Sequence, residues 1–312
     1  MNIVITGGAG YLGSVLTARL LNYGHHVTVV DSFVHGVPSL AGLVQANHKL
    51  KILARDICLS DPEVARKIDR ADAVIHLAAL VGAPACDKYP EIAKVLNFQA
   101  TRRLVEILRP EQRLIFPCTN SGYGRGGDTP CTERDPMKPL SLYGITKVQA
   151  EAEVAKHPRG VSLRFATLYG PSLRMRLDLL VNAFAYEAMR KRRLLVYEAA
   201  FRRCVLHVSD AAAAISHALF RDETLHDRGP VWNVGAENVT KAQICGLLQE
   251  LVPGFVWMEG EGKDPDQRDY AVSSEAFKEA TGWAPAVPLK EGIEQLLRLY
   301  AMPFGGPGWW NA

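Results

Sequence analysis

The first half of the chain alternates short apolar runs rich in β-branched residues with longer segments whose apolar positions recur at helical spacing. The runs 3–6, 26–30, 51–54, 73–77, 113–118 and 161–165 predict buried strands. Between them, segments 13–23, 91–109 and 142–156 predict helices; the second carries Ile92, Val95, Leu96, Leu104, Val105 and Leu108. Parallel strands need a helical crossover to return the chain, so this alternation reads as successive βαβ units. The predicted class is α/β, a doubly wound parallel sheet over residues 1–170. After Tyr169-Gly170-Pro171 the alternation gives way to mixed helices, short strands and breaks such as Val252-Pro253-Gly254. Residues 171–312 read as a smaller α/β domain, with 204–235 expected to return to the first one through the apolar runs 204–208 and 231–235. The Gly, Pro and Trp-rich tail at 303–312 suggests no element.

With 312 residues, 48% of them hydrophobic, the chain can bury a large core. Lys and Arg number 36 against 33 Asp and Glu, a charge of +3 without a long basic run, so no nucleic-acid partner is expected. The longest nearly apolar run, 73–85, contains His76, Gly82 and Pro84 and is too short to span a bilayer, so no membrane partner is expected either. The chain enters a strand at Asn2 without a signal-peptide pattern. Six scattered cysteines lack metal-ligand spacing, which predicts reduced thiols, no metal and a cytoplasmic location.

Candidate chemistry begins at Thr6-Gly7-Gly8-Ala9-Gly10-Tyr11-Leu12-Gly13, between the first strand and first helix. Gly7 permits a tight turn, Gly10 lets backbone approach a pyrophosphate, and Gly13 lets helix and strand pack closely. Tyr11 and Leu12 are cofactor candidates with these glycines, and the helix that follows offers N–H groups and a dipole that favour an anion. Asp31 ends the second strand, where a carboxylate can accept from an adenosine ribose and repel a 2′-phosphate. The combination points to a Rossmann dinucleotide site that prefers NAD to NADP. Tyr143 and Lys147, four residues apart, share a helix face, where the ammonium can favour the tyrosinate as a base. The segment Cys118-Thr119-Asn120-Ser121-Gly122-Tyr123-Gly124 follows a predicted strand and offers hydroxyls at Thr119 and Ser121.

These elements, with His76-Leu77-Ala78-Ala79, occur in the order of extended short-chain dehydrogenase/reductases, and the chain resembles their NAD-dependent epimerase/dehydratase branch. The resemblance implies a catalytic triad of Thr119, Tyr143 and Lys147, with Lys147 also holding the nicotinamide ribose. It implies cofactor contacts at Asp56 and Ile57 near adenine and at Leu77, Ala78 and Ala79 along the cofactor, with His76 structural. Asn97 matches a helix asparagine that braces the site. In the second half it places Arg203 and Arg268 on a sugar-nucleotide diphosphate and Asn182 beside the sugar or phosphate. Arg174 and Arg176 are further substrate candidates, and Val81 and Ser121 lie near the sugar.

Departures from the family narrow the reaction. Its 4,6-dehydratases carry Asp-Glu directly after the catalytic Thr, where this chain has Asn120-Ser121, and its 3,5-epimerising members carry Cys where Ser121 stands. Oxidation at a sugar 4-hydroxyl remains, ending in 4-epimerisation or in a released 4-ketone. The strings LVGAPACDKYPEIAKVLN, RMRLDLLVN and DPDQRDY resemble a subgroup acting on nucleotide-diphospho-heptoses. The resemblance also implies a homodimer through a four-helix bundle. The alternatives of another class are a non-catalytic NAD-binding sensor or scaffold and an interaction subunit.

Overall fold

The computed structural model describes residues 1–220, 225, 231–263 and 267–302; the tail at 303–312 and Asp266 lie outside the described residues. Six strands in the first half, β1 (Asn2–Thr6), β2 (His26–Asp31), β3 (Leu50–Ala54), β4 (Ala73–His76), β5 (Arg113–Thr119) and β6 (Gly160–Phe165), lie within two residues of the predicted runs. Together with Val231–Val234 they form one seven-stranded sheet in the order β3-β2-β1-β4-β5-β6 and then Val231–Val234. Every pairing in it is parallel.

Successive residues of β1 serve opposite faces. Ile3 and Ile5 join one buried cluster with Leu16, Val27, Ile75 and Ile215, while Val4 joins another with Val74, Leu114 and Phe116. A sheet covered on both sides demands continuous apolar runs, which is why its strands were legible as such. The strand order reverses between β1 and β4, the point at which α/β sheets open a crevice at the carboxyl ends of their strands. Thr6 is in register there with Val30 and His76.

The structure divides the segment 204–235. Val231–Val234 enters the large sheet beside β6, but Arg202–His207 does not. It pairs instead with Thr167–Tyr169 and Glu237–Thr240 in a separate three-stranded sheet. A third sheet joins Arg193–Val196 to Val256–Glu259. The helix Val208–Phe220 that follows Arg202–His207 returns to pack on α1 (Tyr11–Asn22). A separate apolar cluster holds Val181, Val205, Ile244 and Ile293, and Tyr11 reaches into it from α1.

The stretch expected as one helix over 91–109 is interrupted. Pro90–Ala93 is α-helical, Lys94–Gln99 forms a π-helical turn, and Ala100–Ile107 resumes the α-helix. Apolar periodicity does not register one extra residue per turn, so the sequence showed the helix and not its bulge.

Candidate active site

The glycine loop is shaped by close approach. Gly7 has φ +70°, and a Cβ there would lie 2.7 Å from the Ala78 nitrogen; a Cβ on Gly13 would lie 2.2 Å from the Gly7 carbonyl oxygen. Any side chain at either position would force the loop off β4 or off α1. Gly10 caps α1 without a side-chain hydrogen bond, so the helix opens on backbone N–H groups at the crevice. These residues form a cradle that fits a dinucleotide diphosphate. Asp31, at the end of β2, accepts from the Ala9 N–H at 3.0 Å and the Phe33 N–H at 2.8 Å, which fixes its carboxylate beside the loop. Asp56 accepts from the Cys58 N–H at 2.8 Å in an exposed turn, and Ile57 packs half-buried against the second face of the sheet.

His76 is buried between Thr6 Oγ1 at 2.6 Å and Thr101 Oγ1 at 3.1 Å. Burial, and then the Lys147 charge, push its pKa down to about 3. The neutral ring ties β1 and β4 to the following helix. Thr6 Oγ1 also accepts from the Ala78 N–H at 3.3 Å, and the Leu77 N–H donates to the Thr6 carbonyl, so Leu77-Ala78-Ala79 is pinned along the glycine turn. Asn97 lies on the π-helical turn and is fully engaged. It accepts from the Leu80 N–H at 2.8 Å and donates to the Leu80 carbonyl at 2.9 Å and to Thr146 Oγ1 at 3.2 Å. Val81 follows on the same half-buried loop.

Thr119 ends β5 with Oγ1 2.8 Å from Ser121 Oγ and accepts the Ser121 N–H at 3.1 Å. Helix α2 (Leu142–Val154), capped by Ser141 on the Gly144 N–H, carries Tyr143 and Lys147. Burial raises the Tyr143 phenol above its ordinary value, and the Arg176 and Arg268 charges oppose that shift. Lys147 is 4% exposed with its ammonium 3.8 Å from the centre of the Phe116 ring, and burial pulls it down to about 8. Beneath this pair, Arg164 and Glu151 form a buried ion pair at 2.7 Å. Arg164 also donates to Tyr123 Oη at 2.9 Å, and Tyr123 donates to Asn233 Oδ1 at 2.7 Å.

The second half contributes arginines in two environments. Arg203 is buried and donates to the backbone carbonyls of Arg202 and Arg268, which joins the two predicted diphosphate ligands in one corner. Arg176 forms a two-point pair with Asp178 at 2.5 and 3.2 Å. Asn182 is buried with its carboxamide engaged by protein: it accepts from the Gly170 N–H at 3.0 Å and donates to the Arg176 carbonyl at 2.8 Å and Tyr11 Oη at 3.2 Å. It holds the arginine loop against α1. Sequence reasoning missed Thr6, Thr146, Ser172 and the Arg164–Glu151–Tyr123–Asn233 network. Single hydroxyls carry no spacing signal, and the network's members come from four separate elements; only Glu151, one turn beyond Lys147 on α2, continues the helical face already singled out.

An uncharacterized UDP-glucose epimerase, YtcB, of Bacillus subtilis (strain 168) is 27% identical over 94% of this chain and 96% of its own. The UDP-N-acetyl-alpha-D-glucosaminuronate decarboxylase of Bacillus cytotoxicus is 30% identical over 77% of this chain and 76% of its own. The crystal structure of UDP-glucuronic acid 4-epimerase from Bacillus cereus, in complex with UDP-glucuronic acid and NAD, superposes with a TM-score of 0.82 at 25% identity, covering 96% of this chain and 99% of that one. Residues 3–235, which contain the glycine loop, Asp31, Thr119, Tyr143, Lys147 and Arg203, match one family throughout. The chain belongs to the NAD dependent epimerase/dehydratase family, whose members are enzymes acting on nucleotide sugars with NAD as cofactor.

Proposed function

We propose that this protein is a nucleotide-diphospho-sugar 4-epimerase that transiently oxidises the sugar 4-hydroxyl of an NDP-hexose or NDP-heptose. One observation carries the reading: the turn after Thr119 holds Asn120 and Ser121, with Ser121 paired to Thr119 at 2.8 Å, where elimination would need a carboxylic acid and a carboxylate. NAD, when bound in the glycine cradle, supplies the hydride acceptor and donor. The chain's own residues handle the proton and the charge. Tyr143 takes the 4-hydroxyl proton at its phenolic oxygen, Thr119 hydrogen-bonds the same sugar oxygen, and Lys147 stabilises the tyrosinate from the same helix face. Burial opposes ionisation of Tyr143, so the surrounding cations Arg176 and Arg268 belong to the base as much as to the substrate site. Arg203 and Arg268 hold the diphosphate, with Val81 and Ser121 beside the sugar. Residues 171–302, apart from Val208–Phe220 and Val231–Val234, which pack with the large sheet, carry the substrate-binding part.

The names of two relatives above, both UDP-sugar epimerases, support the 4-epimerase reading. The motif strings around Val81 and Arg176 support the heptose. Tyr89, Ile92, Ile107 and Ile145 expose large apolar surface on or beside the helices around α2, which supports a homodimer through that face. Among the described residues no helix is long and apolar enough to cross a membrane.

The test incubates purified enzyme with UDP-, ADP- and GDP-linked hexoses, heptoses and uronates without added cofactor, read by proton NMR. Appearance of the 4-epimer supports the proposal. A 4-keto product that accumulates only with an external oxidant replaces it with a dehydrogenase, and loss of the uronate carboxyl replaces it with a decarboxylase.

A further inference from the structure

Arg174 is 3% exposed, yet its Nε and Nη2 are buried without a hydrogen-bond partner. A guanidinium removed from water normally acquires a counter-charge or a full set of acceptors. Its neighbour Arg176 pairs with Asp178; Nε and Nη2 of Arg174 have no such acceptor, and Asp178 and Asp31 act on Arg174 only as nearby charges.

Hydrogen bonds of the preceding turn and the charges nearby place this guanidinium. On one side, Ser172 Oγ donates to the Tyr11 carbonyl at 2.6 Å, meets Ser14 Oγ at 3.1 Å and accepts from the Arg174 backbone N–H at 3.3 Å. These bonds stitch 172–174 onto the first turn of α1, directly after the glycine loop. On the other side, the Asp31 carboxylate at the end of β2 acts on Arg174, and Arg174 in turn acts on His35, four residues beyond Asp31. Arg174 therefore stands between the opening turn of α1 and the β2 loop. Arg176, two residues on, is paired with Asp178 and also acts on Tyr143. Burial and then the Arg176 charge disfavour the cationic form of Arg174, the Asp178 and Asp31 charges offset part of this, and its two orphaned nitrogens mark the place that an anion's oxygens would take.

We propose that Arg174 is a cofactor ligand whose Nε and Nη2 bind diphosphate oxygens of NAD, opposite the backbone N–H groups of the glycine loop. This moves Arg174 out of the set of substrate arginines in which the sequence placed it. The glycine loop and helix terminus offer partial charges only, whereas a dinucleotide diphosphate carries two full negative charges. A guanidinium fork on the open side supplies a full positive charge and two directed donors. The inference rests on NAD being the cofactor and not on the 4-epimerase reading, so it survives if the sugar chemistry differs.

The test compares wild type with Arg174→Met and Arg174→Lys by calorimetric titration of NAD, ADP, adenosine and UDP. Arg174→Met is expected to weaken NAD and ADP roughly 10- to 100-fold, the loss of a charge-assisted pair, and to leave adenosine and UDP unchanged. Arg174→Lys, which keeps the charge and loses the fork, should fall between. Thermal melts give a second readout: without nucleotide, Arg174→Met should melt at or above the wild-type temperature, because an unmatched buried charge has been removed, and its NAD-induced shift should shrink. Weakened UDP binding with NAD unchanged would assign Arg174 to the substrate and overturn the proposal. A lower melting temperature with the full NAD-induced shift retained would overturn it too, by making Arg174 a structural residue.

Discussion

Asn97 Nδ2 donates to Thr146 Oγ1 across 3.2 Å, and this bond ties the π-helical turn to the helix that presents Tyr143 and Lys147. The same carboxamide closes both hydrogen bonds of Leu80 at the carboxyl end of β4. Asn97 thus sets the distance between the strand-end loop along the cofactor and the catalytic helix. Asn97→Ala leaves buried groups unpaired and is expected to cost about 1–3 kcal/mol of stability. As a positioning residue it should also lower kcat more than it raises KM for the sugar nucleotide. Urea denaturation and steady-state kinetics check this; a loss of stability with kcat unchanged would make Asn97 merely structural.

Asp31 is held by two backbone N–H groups, so it cannot swing away from a ribose 2′-position. Wild type should bind NAD at least about 10-fold more tightly than NADP, and Asp31→Asn should narrow that ratio by removing the repulsion. Calorimetric titration of both dinucleotides decides it. Equal affinities in wild type would remove Asp31 from the discrimination.

Tyr143→Phe keeps the ring and deletes the acid/base oxygen. Turnover should fall about 10²- to 10⁴-fold, the usual worth of a positioned proton-transfer group, while NAD affinity and melting temperature stay close to wild type. Turnover near the wild-type value would show that another group moves the proton.

Much of this was legible in the sequence because the relevant signals are local. A sheet buried on both faces writes itself as apolar runs, and a helix entered through a glycine turn writes itself as spaced glycines, so β1 to β6 and the Gly7–Gly13 cradle could be read directly. The strand Arg202–His207 looked like a return to the large sheet because a run of Val and Leu does not say which neighbour will pair with it. Asn182 looked like a sugar contact, and only three-dimensional placement shows its carboxamide engaged by Gly170, Tyr11 and Arg176. The orphaned nitrogens of Arg174 have no one-dimensional signal at all, since an arginine in a loop reads as solvated until its burial is known.

Two buried bases, His76 and Lys147, lie against the Phe116 ring. His76 stacks on that ring at 6.1 Å and Lys147 lies over it at 3.8 Å. Burial holds His76 at about 3 and Lys147 at about 8, against ordinary values of 6.5 and 10.5. Between the folded and the ordinary value of each base, the unfolded chain binds the proton that the folded chain has released. Stability therefore rises with pH inside both windows. For His76 the window lies in acid: stability falls as pH drops from 6.5 toward 3, because the ring must be charged where it is buried. For Lys147 the window lies in alkali: stability gains as pH rises from about 8 toward 10.5, because the buried ammonium is discharged. At about 1.4 kcal/mol per pKa unit, the Lys147 gain reaches up to ~3 kcal/mol across its window. Lys147→Met has no such proton to lose. The difference in unfolding free energy between wild type and Lys147→Met, measured by urea denaturation without added NAD, should accordingly shift in favour of wild type from about pH 8 to about pH 10. Stability curves that run parallel over that range would show that Lys147 keeps its ordinary affinity for the proton, and that burial against Phe116 does not discharge it.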